Sequence, residues 1–173
     1  MRPQENTYGD YYRNYISLVE ENDLLSALSN SVNRSLSFWS NLTEEQGNYR
    51  YAEGKWSIKE LLQHIIDTER IFSYRALAFA RGEKTALPGY NENQYADNCL
   101  ADSRSLQEMI DEFVLVRKST ITLFKSFDES VLDNLGKASD SNLSVRAVGF
   151  IIIGHEIHHM NVVKELYISL DNR

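Results

Sequence analysis

The chain has 173 residues, of which 42% are hydrophobic and 25% are charged, and its formal net charge at pH 7 is −7. This length and apolar fraction predict a single domain, residues 1–173, with a sizeable core. The negative charge argues against nucleic acid or an anionic membrane surface as a partner, because both select clustered lysine and arginine.

The sequence predicts a cytoplasmic protein. Residues 1–10 contain no apolar core and no small-residue cleavage signal of the kind that an export sequence carries. The longest apolar run, residues 147–153, is far shorter than the roughly 20 residues that cross a bilayer. Cys99 is the single cysteine, so no intrachain disulfide can form, which suits a reducing compartment.

Two amphipathic helices are predicted in the first half of the chain. The first begins near Asp10 and breaks near residues 22–23, and its second part places these apolar side chains on one face: Leu25, Leu28, Val32, Leu36 and Trp39. The second is capped by Ser57 and ends at Gly82. Its apolar stripe has His64 at the edge and consists of Leu61, Ile65, Thr68, Phe72, Ala76 and Phe79.

Two further helices follow a long crossover over residues 83–101. The third helix is predicted from about Asp102 to Phe127, and the fourth begins near Ser144, after the polar stretch 139–142. No alternating strand pattern occurs in the chain. Four long helices with one long and two medium connections predict an all-α fold, an up-down four-helix bundle whose long crossover joins helices two and three.

The fourth helix carries two histidines on its inner face. That face repeats at steps of three and four and comprises Val148, Ile152, His155, His159, Val162, Leu166 and Leu170. His155 and His159 project from consecutive turns, so their imidazoles can bind one cation together. If the stripes of helices two and four face each other, His64 supplies a third ligand. The sequence therefore predicts a three-histidine metal site with an open position for water or substrate.

Several alternatives bear on this site. Each histidine could instead be an ordinary hydrogen-bonded residue of the bundle, but three on converging stripes favour a metal, because an unpaired imidazole in an apolar seam is costly. His158 is rotated toward the flank and is predicted to lie outside the ligand set. The aromatic residues Trp56, Tyr90 and Tyr95 around the crossover are predicted to serve packing rather than substrate binding.

Residues 155–159 also match the H-E-x-x-H pattern of zinc metalloproteases, in which the glutamate is the general base. The extended form of that pattern requires glycine and histidine where this chain has Val162 and Glu165. A protease is therefore disfavoured, and Glu156 remains a weak candidate for a base. With an ordinary imidazole pKa of about 6.5, histidine ligands predict that metal leaves between neutral pH and about pH 5.

The chain resembles the DinB-like superfamily of metal-binding four-helix proteins, which includes bacillithiol and related thiol S-transferases. The resemblance spans nearly the whole chain and is carried by GKWSIKELLQH at 54–64 with Asp67, LPGY at 87–90 and GHEIHH at 154–159. It implies that His64, His155 and His159 bind a divalent metal ion, zinc or nickel. It also implies a homodimer.

These observations lead to three hypotheses on function. We predict a metal-dependent enzyme, foremost a transferase that joins a low-molecular-weight thiol to a small electrophile. The first alternative is a hydrolase in which activated water attacks a small-molecule substrate, with Glu156 assisting. The second is a noncatalytic bundle in which the metal staples helix two to helix four and function lies in dimer or partner contacts. The noncatalytic bundle predicts a closed site with a fourth protein ligand, whereas catalysis predicts an open one.

Overall fold

The structure is a computed structural model that describes residues 1–168. Leu170, predicted on the inner face of the fourth helix, lies outside the described residues. In chain order the elements are α1 (Arg13–Ser17), α2 (Leu24–Trp39), α3 (Glu44–Gly47), α4 (Ile58–Ala80), α5 (Glu92–Asn98), α6 (Leu106–Lys125), β1 (Leu135–Ala138), β2 (Ser141–Ser144) and α7 (Val145–Val162), which continues into a π-helical segment, Val163–Ile168. Short 3₁₀ turns lie at Glu5–Thr7, Asp10–Tyr12, Ala101–Ser103 and Glu129–Val131.

The long helices α2, α4, α6 and α7 form a four-helix bundle, which confirms the predicted fold class. Helix α4 packs against α6 and α7, and α2 packs against the same two helices from the other side. The short α1 packs on α7, and the crossover between α4 and α6 contains α5. Because α4 and α7 are neighbours, side chains on their facing stripes can meet. The described residues include no helix with the length and apolarity that a membrane span requires.

The helix boundaries follow the predicted capping signals closely. Ser57 caps α4 in a capping box: its hydroxyl accepts from the Glu60 amide at 3.1 Å, and the Glu60 carboxylate accepts from the Ser57 amide at 2.6 Å. Gly82, with φ of +82°, follows the end of this helix. Ser144 caps α7, as predicted. Helix α6 begins four residues later than predicted, because Ser105 caps it.

The prediction of no strand was wrong for the polar stretch before α7. Strands β1 and β2 form an antiparallel hairpin in which Leu135 pairs with Ser144 and Ala138 with Ser141. The turn residues Ser139 and Asp140 both have positive φ, 48° and 60°, as a tight two-residue hairpin turn requires. Four-residue strands carry too little alternation to be recognised in a sequence, and this hairpin depends on packing against the bundle.

The predicted inner face of α2 was also wrong by part of a turn. Leu25 and Leu36 are 37% and 38% exposed, whereas Leu24, Ala27, Leu28, Ser31, Ser35 and Trp39 are buried. Ser31 accepts a hydrogen bond from the guanidinium of Arg117 on α6. The interior beside α2 is therefore partly polar, and two serines occupy positions that a purely apolar core would give to leucines.

Candidate metal centre

The structure brings the three predicted histidines together. His64 extends from α4, and His155 and His159 extend from consecutive turns of α7. The Nε2 atom of His155 lies 3.0 Å from Nε2 of His64 and 3.1 Å from Nε2 of His159. The three ligand atoms all lie within 4.8 Å of one another.

This arrangement suits a cation better than it suits hydrogen bonding. The Nε2 atom of a neutral imidazole carries either one hydrogen or one lone pair, so His155 can share a hydrogen bond with only one of its two neighbours. Ligands about 2.0–2.1 Å from a tetrahedral zinc lie roughly 3.3–3.4 Å apart, close to the separations of 3.0 and 3.1 Å between His155 and its two neighbours. Three imidazole nitrogens are a donor set that divalent zinc and nickel both accept. The residues present therefore fit a divalent metal ion.

Burial keeps the three imidazoles in the neutral form that metal binding requires. Desolvation lowers the pKa of His64 to about 4. Desolvation, with a smaller contribution from neighbouring imidazoles, lowers the pKa of His159 to about 3 and that of His155 well below its ordinary value. At pH 7 all three side chains can present a lone pair to a cation.

Aromatic rings border the cluster on two sides. Trp56, placed just before α4, has its ring 5.1 Å from that of His64. Tyr15 on α1 lies edge-on to His155 and His158, with ring centroids 5.5 and 5.4 Å away. His158 is half-buried beside the cluster, as predicted, and is not part of the group of converging ligand atoms.

Gly154 permits the close approach of α1 to this site. A Cβ atom at this position would lie 1.9 Å from the carbonyl oxygen of Tyr15, a distance that no side chain can occupy. The absence of a side chain at Gly154 therefore lets the backbone of α1 lie directly against α7, and so places Tyr15 over His155.

A cavity of about 330 Å³ opens beside His64 and His155. One face of α4 provides a wall, because His64, Thr68, Phe72 and Arg75 follow at steps of three and four. Other lining residues come from the N-terminal turns and the crossover: Tyr11, Tyr12, Tyr15, Tyr90 and Glu92. The cluster is therefore accessible to a small molecule.

Tyr90 has a larger part in this cavity than the predicted packing role. Its hydroxyl shares a hydrogen bond of 2.6 Å with the hydroxyl of Thr68, which draws the crossover against α4. The position of Thr68 one turn after His64 is visible in the sequence. Its pairing with a crossover residue depends on the tertiary fold, and no pattern in the chain indicates it.

The structure gives Glu156 a partner that sequence reasoning missed. Its side chain is fully buried, and a carboxylate oxygen lies 2.9 Å from Nη1 of Arg117. Arg117 also donates from Nε and Nη2 to the carboxylate of Glu69, at 2.8 and 2.9 Å. Burial alone would lower the pKa of Arg117, but the carboxylates of Glu156 and Glu69 raise it. Since Glu156 is absent from the cavity wall, this geometry does not support its predicted role as a base.

The fold and the histidine cluster together define a four-helix-bundle protein whose candidate metal centre lies between two neighbouring helices. The family model of the DinB superfamily matches residues 27–163, and the chain belongs to this superfamily. This confirms the resemblance inferred from the sequence.

Two similar proteins extend the comparison. A protein of Oceanobacillus iheyensis is 23% identical over 162 residues, which cover 91% of this chain and 89% of that protein. Its name describes it as a metal-dependent hydrolase whose activity is not established. The solved structure of YfiT from Bacillus subtilis superposes with a TM-score of 0.71 at 13% identity, covering 99% of this chain and 94% of YfiT. YfiT is described as a probable metal-dependent hydrolase with an unusual four-helix bundle topology. At this identity the similarity to YfiT establishes the fold.

Proposed function

We propose that the protein is a metal-dependent hydrolase of a small-molecule substrate. The observation that carries the proposal is the convergence of three imidazole nitrogens beside an open cavity. Among the described residues, no fourth histidine, cysteine or carboxylate joins the three-histidine group. Three protein ligands with a free position are typical of catalytic rather than structural metal sites. The names of both similar proteins point to the same class of reaction.

A divalent cation held by His64, His155 and His159 would act as a Lewis acid and lower the pKa of a water molecule that it binds. The remaining residues of the cavity would bind and orient the substrate. Burial raises the pKa of Tyr15 and of Tyr90, so both phenols stay protonated at neutral pH and can donate hydrogen bonds to a substrate oxygen. The ring of Phe72 supplies an apolar wall.

Thiol transfer is the second candidate. A recess of about 270 Å³, lined in part by Trp56 and Tyr51, reaches His159 from another side of the cluster and offers a place for a low-molecular-weight thiol. The cavity at His64 and His155 lies near the lower end of the roughly 300–1,000 Å³ typical of ligand pockets. It can hold one small substrate, so thiol transfer needs the thiol to occupy the recess at His159, whereas hydrolysis needs no second organic molecule.

The noncatalytic bundle is the least supported hypothesis. It requires a closed site with a fourth protein ligand, whereas the cluster here lies beside two cavities. We further propose zinc or nickel as the metal, on the basis of the nitrogen donor set. We also retain the homodimer and the cytoplasmic location as proposals. Native mass spectrometry of the purified chain tests the homodimer, and fractionation of the source cells tests the cytoplasmic location.

Turnover measurements separate these reactions. Metal-loaded protein is incubated with a panel of small esters, amides and phosphate esters, with and without added thiols. We expect product without thiol in the wild type, and none in His64→Ala, His155→Ala or His159→Ala. His158→Ala is the matched control, because it removes a neighbouring imidazole and leaves the cluster complete.

Product that forms only with a thiol would replace hydrolysis by thiol transfer. A protein that binds metal but turns over no compound in either arm would favour the noncatalytic bundle.

A further inference from the structure

A buried arginine lies in the cavity wall at a distance from the histidines. Arg75 is 2% exposed and follows His64 on the same face of α4. Eleven residues at 1.5 Å per residue correspond to about 16 Å along the helix axis. Thr68 and Phe72 lie between the two, so the cavity extends from the histidine cluster toward the guanidinium.

Among the described residues, all contacts of Arg75 are with neutral groups. Its Nη2 atom donates to the carbonyl oxygen of Pro88 at 3.1 Å and to the hydroxyl of Ser139 at 2.9 Å. The guanidinium carbon lies 4.8 Å from the centre of the Phe72 ring, and Tyr12 lines the same cavity. These contacts tie α4 to the crossover and the hairpin, but a neutral amide could make both Nη2 bonds equally well. Within the described part of the chain they leave the positive charge without a counterion.

The other buried arginines of the described chain are neutralised. Arg117 is paired with Glu69 and Glu156, and Arg146, also buried, is paired with Glu129 and Asp133. No described carboxylate lies within 4.0 Å of the Arg75 guanidinium. An uncompensated buried charge is unfavourable, and burial lowers the pKa of Arg75. A bound anion would supply the missing negative charge.

We propose that Arg75 binds a carboxylate group of the substrate. The substrate would then carry a carboxylate at one end and the bond to be broken at the other, beside the histidines. The assignment of the second end rests on the proposed hydrolase function, whereas the carboxylate site stands on the surroundings of Arg75. The guanidinium of Arg75 is a planar fork of donors that matches the two oxygens of a carboxylate. Glu92, an exposed acid of the cavity lining, opposes anions of higher charge such as phosphate.

Binding of two molecules of nearly equal shape tests this site. Pentanoate and its neutral counterpart pentanamide are titrated calorimetrically into metal-loaded protein. We expect the wild type to bind pentanoate at least tenfold more tightly than pentanamide. The Arg75→Gln variant should lose this preference, and Arg75→Lys should keep only part of it, because an ammonium group cannot form the two parallel hydrogen bonds of the guanidinium fork.

The His64→Ala variant identifies which positive group the carboxylate contacts. We expect it to keep the preference for pentanoate, because Arg75 is intact. Loss of the preference in His64→Ala with retention in Arg75→Gln would place the carboxylate on the metal and overturn the proposal. Tighter binding of inorganic phosphate than of pentanoate, with the same dependence on Arg75, would overturn the choice of a carboxylate.

Folding of each variant is checked by circular dichroism and metal content. If Arg75→Gln does not fold, the wild-type comparison still decides, because equal affinities for pentanoate and pentanamide would overturn the proposal. Glu92→Gln is the matched charge control and should strengthen pentanoate binding about twofold without affecting pentanamide. No arm requires turnover, so a failure of the hydrolase proposal and a failure of the carboxylate site give separate results.

Discussion

Two buried arginines occupy opposite kinds of surroundings in this bundle. Arg117 contacts Ser31 from α2, Glu69 from α4 and Glu156 from α7, so its charge is fully paired inside the protein. Arg75 is equally hidden from solvent, but its partners among residues 1–168 are all neutral, and it lies on a cavity wall. Arg117 therefore connects four helices through its ion pairs and hydrogen bonds, whereas the charge of Arg75 is available to a ligand.

The largest expected effect is on stability, from the substitution Arg117→Met. It leaves the carboxylates of Glu69 and Glu156 buried without their cation, which typically costs about 3–5 kcal/mol. Chemical denaturation measures the free energy of unfolding. Arg75→Met is the matched comparison and should cost less than about 2 kcal/mol, because loss of an unpaired buried charge offsets the lost hydrogen bonds. Equal losses in the two variants would remove the distinction between the two arginines.

Metal binding should stabilise the folded protein through the histidines, and this stabilisation should not depend on Arg75. A metal at a hundredfold excess over its Kd stabilises the folded state by about 2.7 kcal/mol. For a chain of this length the melting temperature should rise by roughly 5 to 10 °C, as scanning calorimetry can measure. His155→Ala should abolish this rise, whereas Arg75→Gln should retain it. A rise of the same size in His155→Ala would mean that the metal binds elsewhere.

The contact between α1 and α7 predicts a smaller effect on stability. In Gly154→Ala the new methyl group would collide with the Tyr15 carbonyl, and such overpacking costs about 1–3 kcal/mol. The displaced α1 carries Tyr15, so binding in the cavity should weaken as well. Gly47→Ala is a suitable control, because its new methyl would meet only side-chain atoms at 3.3 Å or more. Thermal unfolding and pentanoate titration of both variants measure the two effects.

The smallest effect is the change in metal affinity between pH 7 and pH 5. Imidazoles with an ordinary pKa near 6.5 would lose about thirtyfold in affinity per ligand at pH 5. Because burial lowers the pKa of His64 to about 4 and of His159 to about 3, protons compete only in more acidic solution. We expect less than a tenfold loss down to pH 5, which revises the sequence-based expectation. A hundredfold loss, measured by competition with a chelator, would contradict burial of the ligands.

The sequence predicted the bundle because its signals are local. Capping residues such as Ser57 and Ser144 mark helix starts, and steps of three and four identify the inner faces of α4 and α7. His64, His155 and His159 could be grouped because histidines on apolar stripes are conspicuous.

The buried polar interior and the surroundings of Arg75 could not be predicted, because they depend on tertiary contacts. Isolated charges such as Arg117 and Glu69 are usually solvated, so their positions gave no indication of a buried network. The predicted inner face of α2 did not include Ser31 and Ser35, because serine is mostly exposed in folded proteins. The special status of Arg75 rests on partners that it lacks, and a sequence pattern cannot indicate missing contacts.

Metal content tests the central claim most directly. Tag-free wild-type protein and the variants His64→Ala, His155→Ala, His159→Ala and His158→Ala are incubated with zinc or nickel, desalted and measured by plasma mass spectrometry. The three-histidine centre predicts about one metal ion per chain in the wild type and in His158→Ala, and loss of metal in the other three variants. Absence of metal from the wild type, or equal content in all five proteins, would contradict it.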